Sequence, residues 1–214
     1  AKAAGLLVIA DGKRNDIGST AEAYANAFLG GVTVFGEKVM ACEVDALTVN
    51  GYLGFDGIRP FLKACQEEGK GIFVLVRTSN PSSGDLQERV TADEKMSIAA
   101  LMGHFVESWG GDGVGECGYS FVGAVVGATY PAEAAKLRQI MPQSIFLVPG
   151  YGAQGGTAAD TKPCFDENGF GALVVSARGI IYAYAEGDDK DGCNYAEAAR
   201  AAAIKMNTEL NQVR

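Results

Sequence analysis

The chain has 214 residues, 48% of them hydrophobic, and a formal charge of −8 at pH 7. That length suits one domain spanning residues 1–214, with enough apolar side chains for a substantial core. The acidic balance, with no Lys/Arg-rich block to offset it, excludes a nucleic-acid polymer as partner, and no apolar run approaches the roughly 20 residues that cross a bilayer.

The apolar runs alternate with helical patterns. Leu6–Ala10 is the first expected strand, followed by a helix over about Ser19 to Leu29. Ala46–Asn50 is the second, leading to a helix from Phe55 to Glu68 that stops at Gly69. Gly71–Arg77 is a continuous apolar strand of the kind buried on both faces; the polar loop Thr78–Ser83 and a helix over Asp93 to Trp109 follow it. Phe121–Gly127 is the fourth strand, with a helix from Pro131 to Ile140, where proline suits the first turn. Ser144–Val148 and Ala172–Ser176 are the fifth and sixth, and an Ala-rich helix runs from Tyr195 to Asn211. The charged stretch from Glu186 to Asp191 reads as a solvated loop, and Phe105 and Trp109 read as core residues.

Six strands, each with a helix after it, predict a parallel α/β sheet. An open doubly wound sheet and a (β/α)8 TIM-type barrel both fit that alternation. Polar loops follow several strands at their C-terminal ends, and a barrel gathers such loops round one mouth, which favours the barrel with about six of its eight units present.

The cysteines, Cys42, Cys65, Cys117, Cys164 and Cys193, are odd in number and form no C-x-x-C pair. They fit reduced thiols in a cytoplasmic protein, in keeping with the lack of a charged-then-apolar leader. His104 is the one histidine, so no metal site is expected, and its place on a helix face suggests a structural role.

Asp11-Gly-Lys13-Arg-Asn-Asp16-Ile17 sits between the first apolar run and the helix start Gly18-Ser-Thr20. Unpaired charge buried inside a strand costs several kcal/mol or more. At the C-terminal end of a parallel strand these groups can pair and face a ligand. Asp11 and Lys13 are two apart and point to one side of an extended chain, whereas Asp16 lies beyond the turn. A plain surface ion-pair cluster is the competing reading. At the far end of the chain, the glycine-rich loop Pro149–Gly156 can aim N–H groups at an anion. Arg178 after the sixth strand can bind phosphate bidentately, and barrels place phosphate at the loops after their last strands.

With these motifs in order, the chain resembles the orotidine 5′-phosphate decarboxylase family, in the bacterial subgroup with an Asp-x-Lys-Arg-x-Asp-Ile-Gly-Ser-Thr signature. Here it reads Asp11 to Thr20, and the likeness continues through Thr48–Gly54, Val76–Ser83, Pro149–Gly156 and Ser176–Tyr182. The resemblance implies decarboxylation of orotidine 5′-phosphate to UMP in de novo pyrimidine synthesis, without metal or organic cofactor, by a homodimer with shared active sites. Lys13 would stabilise and protonate the C6 carbanion, and Asp11 would hold Lys13 beside the substrate carboxylate. Asp16, Ile17 and Thr20 match positions contributed across the dimer interface. Ser79 matches the residue that reads the pyrimidine amide edge, and Gln154 and Arg178 match phosphate ligands.

The chain departs from the family by lacking two strand-helix units before the strand of Asp11, one of which carries a second lysine of the charge network. The expectation is therefore that the sequence is an N-terminally truncated fragment or that the native chain carries more than is shown. Lys2, at the wrong end of its strand, cannot replace that lysine. Gly12, Asn15, Gly51 and Gly57 stand where Ala, Gly, Pro and Ser are expected; Asn15 would add strain if its turn needs a positive φ, and Gly51 and Gly57 would loosen the chain. The missing strand keeps two alternatives open, a phosphate-ligand-binding or dimerisation module without catalysis and a related sugar-phosphate decarboxylase or aldolase.

Overall fold

The computed structural model describes residues 1–186 and 192–214. The acidic loop expected from Glu186 to Asp191 thus falls, beyond Glu186, outside the described residues. In chain order the main elements begin with β1 (Ile9–Arg14), α1 (Gly18–Phe28), a hairpin of β2 (Val32–Val34) and β3 (Glu37–Val39), β4 (Ala46–Val49) and α2 (Phe55–Glu68). Then come β5 (Gly71–Arg77), α3 (Gly84–Gln87), α4 (Ile98–Gly110), β6 (Ser120–Val126), α5 (Pro131–Ile140) and β7 (Ser144–Val148). The chain continues through α6 (Ala158–Thr161), β8 (Ala172–Val174), α7 (Arg178–Ile181) and α8 (Tyr195–Asn211).

Among the described residues, six strands form one parallel sheet in the order β1-β4-β5-β6-β7-β8. These are strand-helix units of a TIM-type barrel, with β1 and β8 as the edges of the described sheet. Because side chains alternate along a strand, each strand feeds two cores. Leu47, Val49, Ile72, Val74, Val122, Val126, Phe146 and Val148 face outward, packing with Ala21, Ile58, Phe61, Val106 and Leu137 of the surrounding helices. Ala46, Phe73, Val125 and Leu147 form the inner layer, joined by Ile9, Leu75 and Ile145. Burying a side chain such as Phe61 or Phe146, both fully enclosed, stabilises the fold by about 1.5–3 kcal/mol.

Several elements differ from the sequence reading, each for a local reason. β1 begins later than expected, leaving Leu6 and Leu7 exposed, and takes in Asp11 and Lys13. Strand pairing continues there because the Asn50 N–H donates to the Arg14 carbonyl at 2.9 Å. α4 starts at Ile98 because Ser97 caps it, its side chain accepting the Ala100 N–H at 3.1 Å. The helices after β7 and β8 are single turns, α6 and α7, so α8 serves as the long helix of that region. Phe105 is exposed and stacks on the half-buried Trp109 with ring centres 5.6 Å apart, so it is a surface partner of Trp109 rather than a core residue. The hairpin was not anticipated. Phe35 and Gly36 at its tip both have positive φ, the geometry of a tight two-residue turn.

Asn15 is not among the residues with positive φ; Lys13 takes that strain, at φ 45°. Nor is Gly57 merely loose. A Cβ there would lie 2.9 Å from the Asp16 carbonyl oxygen, so its absence lets α2 approach the turn after β1. A Cβ on Gly51 would likewise meet the Met102 sulfur at 2.8 Å. All five cysteines are free, with Cys65 and Cys164 buried and their thiols pushed up to about 12 by desolvation. Among the described residues no helix is long and apolar enough to cross a membrane.

Gly123 shows how tightly the inner layer is set. A Cβ on it would fall 2.5 Å from the Ile145 carbonyl oxygen and 2.6 Å from the Phe73 ring. Gly123→Ala should therefore lower stability by about 1–3 kcal/mol through overpacking, read as a lower urea midpoint with an unchanged m-value. An unchanged midpoint would contradict this packing.

Candidate active site

The Asp11–Lys13 pair lies on the inner face, one step beyond Ile9. Lys13 Nζ is 2.6 Å from both carboxylate oxygens of Asp11. The pairing register of β1 with β4 shifts between Ala10 and Arg14, and Thr48 of β4 fills the irregularity. Its hydroxyl accepts the Lys13 N–H at 2.9 Å and donates to Asp11 Oδ1 at 2.9 Å. Thr48 is fully buried, whereas the side chains of Lys13 and Asp11 remain 49% and 64% exposed. The pair is thus fixed by a buried hydroxyl yet open to a ligand, and it escapes the cost of buried unpaired charge.

Partial desolvation pushes the Asp11 carboxyl upward, but hydrogen bonds from Lys13 and Thr48 and the Lys13 charge outweigh it, leaving its pKa lowered. An anion held against an ammonium can keep that ammonium in place beside a second anion, such as a substrate carboxylate.

Asp16 sits apart from this pair, its Oδ1 accepting the Ile17 N–H at 2.9 Å. Ile17 occupies the N-cap of α1 with no side-chain capping bond, and both Ile17 and Thr20 are exposed. Thr20 lies within α1, past its N-cap, and does not cap the helix. Lys2 pairs with Asp45 at 2.6 Å, on the residue preceding β4 and at the opposite end of the strands from Asp11.

Ser79 follows β5 and is packed under two other strand ends. A Cβ on Gly127, after β6, would lie 2.9 Å from Ser79 Cβ, and one on Gly150, after β7, would lie 3.0 Å from it. Three consecutive loops thereby meet at Ser79. Beside them, the buried Thr129 hydroxyl has no hydrogen-bond partner among the described residues, which makes it a candidate ligand contact.

The glycine-rich loop folds on itself, with Gly155 N–H donating to the Gly152 carbonyl at 2.8 Å and Gly156 N–H to that of Gly150 at 3.0 Å. Gln154 is exposed at its tip. Tyr151 and Gly152 of this loop, together with Ser176, Arg178, Met206 and Glu209, line a cleft of about 680 Å³. The Tyr151 hydroxyl donates to Glu209 of α8, and desolvation together with that carboxylate pushes the phenol up to about 12. Asp11 and Lys13 do not line this cleft, and neither does Gln154. The candidate residues share the C-terminal ends of the strands, but as three groups: the ion pair on β1–β4, Ser79 over β5–β7, and Arg178 after β8.

Sequence reasoning missed Thr48, and also Arg77, the buried last residue of β5 two positions before Ser79. A threonine inside an apolar run and an arginine closing one were the available signals, since each is a polar group that must find a partner.

The chain matches the family model described as "Orotidine 5'-phosphate decarboxylase / HUMPS family" over residues 1–188. It is 52% identical to the orotidine 5′-phosphate decarboxylase of Caldicellulosiruptor bescii over 179 residues, 84% of this chain and 58% of that protein. It is 48% identical to that of Rhodopirellula baltica over 216 residues, covering 98% of this chain and 69% of the relative. The structure of Leishmania donovani OMP decarboxylase superposes with a TM-score of 0.70 at 30% identity, covering 97% of this chain and 70% of that one. The chain thus spans between about three-fifths and seven-tenths of these relatives. With a match over 188 of its 214 residues, the chain belongs to the orotidine 5′-phosphate decarboxylase / HUMPS family.

Proposed function

We propose that this protein decarboxylates orotidine 5′-phosphate to UMP and carbon dioxide. The observation that carries the reading is the ammonium of Lys13 held against both oxygens of Asp11 at the C-terminal end of β1. As the bond from C6 to the carboxylate breaks, its electron pair stays on C6 with no conjugated sink. A fixed cation beside that carbon stabilises the charge and then supplies the proton that completes UMP. Asp11 holds the ammonium there and faces the substrate carboxylate. The names of the relatives favour this substrate over a bare sugar phosphate, and favour catalysis over binding alone.

In this reading Ser79 meets the pyrimidine amide edge, while Gln154 and Arg178 hold the phosphate, whose binding energy stabilises a closed arrangement remote from C6. The exposure of Ile17 and Thr20 beside Asp16 supports their contribution to a neighbouring active site in a homodimer. The 214 residues act as one partial barrel domain in the cytoplasm, and neither metal nor organic cofactor takes part in the reaction.

The direct test is release of carbon dioxide from carboxyl-labelled orotidine 5′-phosphate by the protein purified from its source. Binding of the nucleotide without release would favour the non-catalytic module. Lys13→Ala should reduce turnover at least about 10²-fold, the scale of losing one charge-stabilising group. Turnover unchanged in that variant would remove Lys13 from the chemistry.

Arg178→Ala should lower kcat/KM for orotidine 5′-phosphate about tenfold or more, as for loss of a charged hydrogen bond. The same variant should leave reaction of the unphosphorylated nucleoside unaffected; an equal loss for both substrates would place Arg178 elsewhere.

The carboxyl of Asp11 should titrate below the ordinary value of 3.8 in a carbon-detected NMR titration. Because its folded pKa is lowered, the stabilisation it provides is present above that ordinary value and is lost as pH falls through the folded pKa. Lys13→Ala should move the midpoint upward, and a fixed midpoint would show that the pair does not form in solution.

A further inference from the structure

The loop that carries Ser79 has its anchor behind it. Arg77, the last residue of β5, is fully buried. Its guanidinium donates to Glu133 Oε2 at 2.5 Å, to Glu88 Oε1 at 2.6 Å and to the Ser83 hydroxyl, and lies 3.6 Å from the centre of the Tyr130 ring. Burial opposes its charge, but Glu133, Tyr130 and Glu88 outweigh burial and raise its pKa.

Gln87 links this anchor to the loop. Its Oε1 accepts the Thr78 N–H at 2.9 Å and an Arg77 N–H at 3.3 Å, while its Nε2 donates to Thr78 Oγ1 at 2.8 Å. Thr78 Oγ1 donates in turn to Asn80 Oδ1 at 2.6 Å. Both neighbours of Ser79 are therefore tied down, and Ser79 itself is packed under Gly127 and Gly150. Only the arginine is buried, Glu88 and Glu133 being 53% and 36% exposed; an ion pair with one charge taken out of water contributes little net stability, and its best-attested use is to fix one geometry among several.

We propose that the Arg77–Gln87 clasp positions Ser79 for the pyrimidine ring. Gln87 is then a positioning residue that sets the preference for a base-bearing phosphate over a bare sugar phosphate. This deepens the nucleotide reading above and rests on it. A loop ordered before binding spares the ligand the entropy of ordering it. Loss of the clasp would fall on the ring end of the ligand, because the phosphate end is assigned to the loops after β7 and β8.

The test compares Gln87→Met, which keeps side-chain length without its polar atoms, with Gln87→Glu, which keeps the acceptor for the Thr78 amide. Hydrogen exchange over residues 77–83 and calorimetric affinities for UMP and ribose 5-phosphate are measured in the intact protein. The Met variant should exchange faster at Thr78 and Ser79 while β6 is unchanged. It should also lose about tenfold in affinity for UMP and nothing for ribose 5-phosphate, the scale of one or two hydrogen bonds. The Glu variant should recover most of both. Unchanged exchange in the Met variant, or equal losses for the two ligands, would overturn the clasp. A wild-type protein that binds ribose 5-phosphate as tightly as UMP would overturn the nucleotide reading and the selectivity assigned to Gln87, while the exchange rates would still decide the clasp.

Discussion

Thr48 offers its hydroxyl to β1 where a parallel strand would ordinarily offer a carbonyl, and the arrangement of the candidate site follows from that exchange. Because the hydroxyl both accepts and donates, it satisfies the Lys13 amide and holds Asp11 at once. β1 can then bulge between Ala10 and Arg14 without stranding a backbone N–H beside the sheet. An apolar side chain of the same shape would leave that amide unpaired, a loss of about 1–3 kcal/mol. The same bond fixes the direction in which the ammonium leaves the strand.

The rest of the strand ends repeat this pattern at larger scale. Below them, the inner layer of Ala46, Phe73, Val125 and Leu147 is apolar and closely packed. Above it, the ends of β1 and β5 present polar groups whose own partners lie within the scaffold, as Thr48 serves Asp11 and Gln87 serves Thr78. A rigid apolar floor with pre-satisfied polar groups over it suits electrostatic stabilisation, because little reorganisation is needed when charge develops. The glycines after β6 and β7 contribute by what they lack, since any side chain there would displace Ser79.

Much of the fold was legible because its signals are local and periodic. α2, α5 and α8 fall on the residues expected, α2 with its stop at Gly69 and α5 with proline in its first turn. β1 was displaced because Leu6 and Leu7 look like strand while the true pairing partner, β4, is far along the chain. The hairpin escaped notice because neither of its three-residue strands has a buried face to impose alternation. For the site, the proximity of Asp11 and Lys13 could be read from their spacing. The roles of Thr48, Gln87 and Arg77 could not, because each acts through a contact that only tertiary structure creates. Nor could sequence show that Lys13, rather than Asn15, takes the unusual backbone angle; that depends on where β4 meets the bulge.

That backbone angle has a consequence for how the protein can change. At φ 45°, Lys13 occupies a region that side chains other than glycine and asparagine enter at a penalty of about 1–2 kcal/mol. Folding alone would therefore be better served by glycine at this position, and a screen that rewards only thermal resistance should drift there. A lysine here sets conformational preference against the placement of a charge. The least relaxed residue of β1 is thus the one whose side chain has the most chemistry to offer, and thermostabilising the chain by sequence optimisation would erode that residue first.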